Sequence, residues 1–339
     1  MIDLLVAGGG PAGLAVAIHA TLAGLEAVVV EPRPTPVDKA CGEGVMPGGV
    51  RSLCALGVRP AGHDLRGIRY VDGEHRVQAA FRDGTGLGVR RTELSAALAR
   101  RAGELGVRIV PGRVGEVRQG PDGVSAAGLR ARWLVAADGL HSPVRRALGL
   151  DLPPGRGPRR YGLRRHYRVP PWSDYVEVHW SRAGEAYVTP VADDLVGVAV
   201  LSTARRGYDT YLDGFPELAA CLREAPAVNG VRGAGPLRQR VRSRVAGRVL
   251  LVGDAAGYVD ALTGEGIALA LASAEAAVRC LRAGRPQAYE RAWWRLSRRQ
   301  RLLTEALVRL SCRRETARLI VPAAARMPAV FTAAVRALQ

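Results

Sequence analysis

Leu4-Leu5-Val6-Ala7-Gly8-Gly9-Gly10-Pro11-Ala12-Gly13-Leu14 opens the chain with an apolar run, a glycine-rich turn and the start of a helical pattern that reaches Ala23. A short, fully apolar run is what a parallel strand buried on both faces requires. A second run, Ala27-Val28-Val29-Val30, ends in Glu31. Gly8, Gly10 and Gly13 occupy the GxGxxG positions, where missing Cβ atoms allow a tight turn, close approach of a pyrophosphate and close packing of helix on strand. Pro11 and Ala12 complete the turn before the helical pattern from Leu14, whose free N–H groups and partial positive charge would face the phosphates. Glu31 follows the first glycine at about the 20-residue offset of a carboxylate that accepts ribose hydroxyls. Strand, turn, helix, strand and acid in this order predict a Rossmann-like α/β dinucleotide-binding domain.

Outside this stretch, the composition narrows the class. A chain of 339 residues, 48% apolar and 24% charged, has the balance of an ordinary globular protein of about two domains. The net charge is +18, and every basic residue except Lys39 is Arg. The arginines are scattered rather than gathered in a stripe and aromatics are only 5%, which speaks against nucleic-acid binding and for an anionic or amphiphilic partner at any positive groove. A non-catalytic basic interaction protein stays open as a distant alternative. Five cysteines without a CxxC pair argue against a disulfide framework or a zinc site, and no histidine spacing suits a metal. No secretory signal or apolar run of about 18 residues appears, so a cytoplasmic location is expected.

Along the chain, a Pro- and Gly-rich loop (32–49) precedes a hairpin expected over 68–81, then a helix from Arg91 to Ala102 and strand-like stretches up to Ala137. Between Tyr161 and Ser202 the pattern becomes a β-rich meander, followed by a helix expected over 209–224 and a buried strand at Val249–Val252. The expected organisation is a discontinuous nucleotide domain (1–67, 87–152 and 241–287), an inserted β-rich substrate domain (68–86 and 153–240) and a C-terminal helical segment (288–339). Within that segment, 293–310 reads as a basic amphipathic helix and 323–338 as an apolar stretch dotted with Arg, a pattern compatible with peripheral membrane contact.

Two further motifs stand at strand ends. Ala136-Ala137-Asp138-Gly139 has Ser142 and Arg145 behind it. Val252-Gly253-Asp254-Ala255-Ala256 continues through Asp260 and Leu262-Thr263-Gly264-Glu265-Gly266 into an Ala-rich helix. With GxGxxG, these motifs resemble the three-part signature of the flavoprotein hydroxylase superfamily whose prototype is p-hydroxybenzoate hydroxylase. The resemblance implies FAD, and implies that Arg91 stands near it. With FAD implied, Asp254 is suited to accept its ribityl or ribose hydroxyls, and a helix starting near Gly264 would aim N–H groups at the flavin ring. Within the superfamily, Asp260 to Ile267 and Lys39-Ala40-Cys41-Gly42-Glu43-Gly44 resemble the two flavin loops of the geranylgeranyl reductase branch. Ala261 replaces a usual Pro, and the branch's YxWxFP motif has a counterpart only in Tyr187-Val188-Thr189-Pro190-Val191.

The expected cofactor contacts are therefore Gly8, Gly10, Pro11, Ala12, Gly13, Glu31, Arg91, Asp138, Gly139, Gly253, Asp254, Gly264, Glu265 and Gly266. Lys39, Cys41 and Tyr187 are candidates near the flavin, and no metal is implied. Lys39 draws notice because the only compact ammonium in the chain sits in the loop expected to flank the flavin. Tyr161, His166, Tyr167, Trp172, His179, Trp180 and Tyr187 are expected to line a substrate pocket. NADH or NADPH is expected as a transient electron donor, since no second GxGxxG follows. The sequence places oxygenation of a hydrophobic aromatic or polyketide-type metabolite by molecular oxygen first, and saturation of isoprenoid-type double bonds second.

Overall fold

A computed structural model of the chain describes residues 1–155 and 157–337. Its central sheet runs in the order Val245–Ala246, Val249–Leu251, Leu129–Ala136, Ile2–Ala7, Ala27–Glu31, Arg108–Pro111. The last five strands are parallel, and Val245–Ala246 is an antiparallel edge. Ala7 is level with both Val30 and Ala136, and Ala136 with Leu251, so four strands end in one row. The chain passes from Ile2–Ala7 directly to one neighbour through the helix Pro11–Leu22. It reaches the other neighbour, Leu129–Ala136, only much later. The edge beyond Ala7 is thus a topological switch point, where open α/β sheets take ligands.

Pro11–Leu22 packs against Arg91–Glu104 and Gly266–Arg282, and Leu14, Ala15, Val16, Ala17, Ile18 and Ala20 are all buried. Small residues let this helix lie close to the sheet. A Cβ on Gly13 would collide with the Gly8 carbonyl oxygen, and one on Gly8, whose φ is +104°, would lie 2.5 Å from the Ala137 carbonyl oxygen.

A second sheet runs Arg232–Ala234, Tyr161–Arg168, Leu195–Ser202, Gly184–Ala192, Tyr175–Ser181, Gly67–Val71, Arg76–Ala80. The pairing of Tyr175–Ser181 with Gly67–Val71 is parallel, and the others are antiparallel. The hairpin expected over 68–81 therefore joins the meander although residues 81–160 separate their strands in the chain. The helix expected over 209–224 is instead two short ones, Tyr208–Leu212 and Pro216–Leu222, because Pro216 lacks the N–H a continuous helix needs and starts a new one.

The C-terminal segment is not a single apolar rod. Ala288–Ser311 is followed by Arg314–Ala317, Ile320–Arg326 and Pro328–Arg336, with the last break at Met327-Pro328; Leu338 lies outside the described residues. Val308, Val321, Phe331 and Val335 share a core with Val178, Tyr187 and Leu201 of the second sheet, and the Phe331 and Tyr70 ring centroids lie 4.8 Å apart. Since Gly13 meets rigid backbone rather than a movable side chain, Gly13→Ala should cost roughly 1–3 kcal/mol of unfolding free energy, read from denaturant titration of the purified protein.

Candidate active site

A cavity of about 1010 Å³ joins the row of strand ends to the core of the second sheet. That exceeds the roughly 300–1,000 Å³ of ordinary ligand pockets, enough for an extended cofactor and a substrate together. Gly8, Gly10 and Glu31 line one end, and Lys39, Arg91, Asp138 and Asp254 line its middle. The far end is walled by Val176, Val178, Leu201, Leu262, Leu307 and Phe331.

The nucleotide end fits a dinucleotide on structural grounds. A Cβ on Gly10 would meet no protein atom nearer than Arg91 Nη2, at 3.6 Å, so space above this glycine is kept for something other than the chain. Gly10 is also the N-cap of Pro11–Leu22, with no side-chain cap, which leaves the first-turn N–H groups open to an anion. The Arg91 Nε is buried without a hydrogen-bond partner, a cation suited to a pyrophosphate. Glu31 is buried. Burial alone would raise its pKa, but hydrogen bonds from the Arg33 side chain (2.8 Å) and the Gly9 N–H (2.7 Å) outweigh that and hold it below the usual glutamate range. It is thus an anionic acceptor beside the first turn.

The two later motifs converge on the same groove. Asp138 lines the cavity; its Oδ2 accepts from the Val144 N–H at 3.1 Å, while its Oδ1 is buried and unpartnered. Burial raises the Asp138 pKa against the pull of its hydrogen bonds and of Arg145. Lys39 Nζ lies 3.1 Å from Asp254 Oδ2, so the one lysine and the third-motif acid face each other across the cavity wall. Gly139, Gly264 and Gly266 also line the cavity, as do Pro11 and Ala12. Gly13 and Gly253 act through packing: a Cβ on Gly253, with φ +57°, would lie 2.9 Å from that of Ala12.

Glu265 departs from expectation. Its flanking glycines line the cavity, but its own side chain does not; it is buried elsewhere, with Oε1 unpartnered. Burial pushes its carboxyl up to about 8, with Arg299 opposing.

Arg145, which the sequence marks only as lying behind the second motif, is fully buried and ties the two loops together. Its Nη2 donates to the Leu140 carbonyl and Gln239 Oε1, both at 3.0 Å, and its Nη1 donates to the Ala255 carbonyl at 3.2 Å. Another network escapes sequence reading altogether. Asn229 Oδ1 accepts from the His166 N–H, so Asn229 Nδ2 donates to His166 Nδ1 at 2.7 Å and the imidazole hydrogen sits on Nε2. That Nε2 donates to Glu43 Oε2 at 2.6 Å, while Glu43 Oε1 accepts from the Arg91 N–H at 2.8 Å. Glu43 is buried with φ +61°, a strained backbone held by these bonds. The loop bearing Cys41 is thereby fixed to both the second sheet and the Arg91 helix.

Of the aromatics expected in the substrate pocket, only Tyr187 lines it. Strand alternation explains His179, and other partners hold the rest. On Tyr175–Ser181 the cavity takes Val176 and Val178, which turns His179 to the other face. Tyr167 stacks on Tyr208 at 6.5 Å, His166 belongs to the Glu43 network, and Trp172 donates to Glu177 at the surface. Trp180 packs on Tyr70 at 5.2 Å, and Tyr161 lies under Arg205. Tyr187 itself donates to the Leu262 carbonyl at 2.8 Å and is held protonated by burial and by Glu185. Tyr70, which the sequence reading passed over, does line the cavity; a position in a hairpin remote in sequence gave no signal of it.

Residues 1–205 match the family model described as FAD binding domain. The chain belongs to the FAD binding domain family. Menaquinone reductase of Mycolicibacterium smegmatis is 31% identical over 86% of this chain and 79% of its own length. Digeranylgeranylglycerophospholipid reductase 1 of Methanothermobacter thermautotrophicus is 29% identical over 78% and 73%. The fold is that of a geranylgeranyl bacteriochlorophyll reductase-like protein from Thermoplasma acidophilum, at TM-score 0.78 and 22% identity, covering 98% of this chain and 91% of the other. The resemblance to the geranylgeranyl reductase branch of the superfamily therefore holds, and this FAD binding domain protein is an FAD-dependent oxidoreductase.

Two outcomes follow for this family member. Gly10→Ala should leave unfolding free energy within about 0.5 kcal/mol of wild type, yet weaken FAD binding roughly tenfold or more, measured by flavin fluorescence titration. Glu265 is raised from 4.5 to about 8, so the folded state binds a proton the unfolded state lacks. Its contribution is complete below about pH 4.5, falls as pH rises and is gone above about pH 8. Glu265→Gln should remove that decline, so its stability relative to wild type grows across this window in pH-dependent denaturant unfolding.

Proposed function

We propose that the protein uses NADH or NADPH to saturate a carbon–carbon double bond in a long aliphatic, isoprenoid-type substrate. The observation that carries this reading is the division of the cavity. Charged groups gather at the nucleotide end and middle, whereas the far end is lined by aliphatic residues of the second sheet and the C-terminal helices. Such a wall offers burial to a chain of methylenes and methyls but few polar partners to orient an oxygenated aromatic. The names of the two relatives, both reductases and one acting on a geranylgeranylated lipid, support the same choice. Oxygenation, placed first from the sequence, rested on the expected aromatic pocket, and the cavity takes only Tyr187 from that set.

FAD, when bound, supplies a two-electron relay between the nicotinamide and the substrate. Gly10, the Pro11–Leu22 N-terminus and Arg91 would hold its pyrophosphate, Glu31 its ribose, and Asp254 its ribityl chain. Saturation takes one hydride and one proton, so the chain must offer a proton to the apolar end. Burial raises the Cys41 thiol, with Arg91 opposing, and keeps it protonated; it lines the cavity and is a proton donor, not a nucleophile. Burial, together with Glu185, likewise keeps the Tyr70 hydroxyl protonated at the far end.

Turnover of a prenylated quinone with NADPH, followed by product mass, tests the reading. Addition of two hydrogen atoms without oxygen consumption is the expected result. Addition of one oxygen atom, with matching oxygen uptake, would instead support oxygenation. Cys41→Ala together with Tyr70→Phe should slow the reductive step more than tenfold while leaving FAD affinity unchanged.

A further inference from the structure

Leu310, Met327 and Val330 line the cavity and are also 45%, 52% and 61% exposed. Such residues can only stand at a mouth, so the apolar end of the cavity opens to solvent among the C-terminal helices. Leu319, 53% exposed, is the N-cap of the helix Ile320–Arg326 in the same segment and does not line the cavity. An apolar rim at the opening of an apolar cavity is costly in water and marks a surface that meets something apolar.

The charges around it identify that partner. Arg313, Arg318, Arg326 and Arg336 are exposed, and among the described residues none of the four is in an ion pair. Glu315 is the only carboxylate between residues 309 and 337. Among the described residues no single helix is long and apolar enough to cross a membrane, and the helical stretches Glu315–Arg326 and Pro328–Arg336 meet at a bend of 100°. Short bent helices with apolar side chains exposed beside unpaired guanidiniums have the chemistry of an interfacial element: the side chains enter the acyl boundary and the arginines reach lipid phosphates.

We propose that helices Ile320–Arg326 and Pro328–Arg336 seat the cavity mouth on an anionic bilayer, so that a lipid-dissolved substrate enters without crossing water. This deepens the proposed function, because it states where the substrate comes from. The mouth, its rim and its charges are nevertheless independent of which bond is reduced.

The test uses the full-length, FAD-loaded protein in co-sedimentation with phosphatidylcholine vesicles that either contain or lack phosphatidylglycerol. Binding should require phosphatidylglycerol and weaken with salt. It should fall at least roughly tenfold in Leu319→Glu and in the double variant Arg318→Glu, Arg326→Glu. None of these positions lines the cavity, so flavin content and turnover of a short, water-soluble alkene should stay at wild-type values, showing that the variants are folded. Folded wild-type protein that fails to bind at low salt, or variants that bind as well as wild type, would overturn the proposal. So would a dimer in sedimentation velocity that Leu319→Glu dissolves, which assigns the rim to a second copy of the chain. Vesicle binding without reduction of any alkene would sink the proposed function and leave the dock standing; reduction without vesicle binding would do the reverse.

Discussion

The Gly13 backbone lies so close to the Gly8 carbonyl that no side chain fits between them, and the site depends on that approach. It brings the N-terminus of Pro11–Leu22 to the end of the first strand, where open N–H groups can serve a ligand rather than the fold. Because Ala7, Val30, Ala136 and Leu251 are in register, the same edge collects Glu31, Asp138 and Asp254 from strands far apart in sequence. Sheet register does for the acids what the glycine contact does for the helix: it sets position by backbone hydrogen bonds, which leaves the side chains free for chemistry.

Arginine performs the long-range stitching. Arg145 bridges the loops of the second and third motifs, and Arg164 joins Asp38 (2.6 Å) and the Lys39 carbonyl (3.2 Å) to the second sheet. Arg160 holds Glu185 at 2.7 Å, Asp260 at 3.0 Å and Ser311 Oγ at 3.1 Å, linking sheet, flavin loop and C-terminal helix. Each is almost fully buried. A buried guanidinium is tolerated only when its several donors find acceptors, which its planar fork permits and an ammonium would not. Two carboxylates share Arg160, and burial pushes Asp260 up to about 6 against that cation's pull. The single lysine sits where a compact charge faces Asp254 at the cavity, a place that asks for one partner instead of many.

The cavity therefore has two ends built by different means. The nucleotide end is made of backbone geometry and local motif, the far end of side chains from two sheets and the C-terminal helices. Glu43 and His166 form the joint between them, since their bond spans the Cys41 loop and the strand Tyr161–Arg168. A strained glutamate at such a joint is sustained because its carboxylate is satisfied from both sides.

What the sequence by itself determined is the nucleotide end: GxGxxG, Glu31, Asp138-Gly139 and Gly253-Asp254 were legible because each depends on neighbours a few positions away. Glycine spacing, strand hydrophobicity and acids at strand ends are local properties. Tertiary structure alone decided that Glu265 turns away from the cavity, that Arg145 staples two motifs, that His166 answers Glu43 and that most of the meander's aromatics face elsewhere. It also decided that Tyr70 and the C-terminal helices wall the substrate end. The physical reason is that strand parity, partner choice across dozens of residues and helix docking are set by packing between elements, and no spacing within one element encodes them.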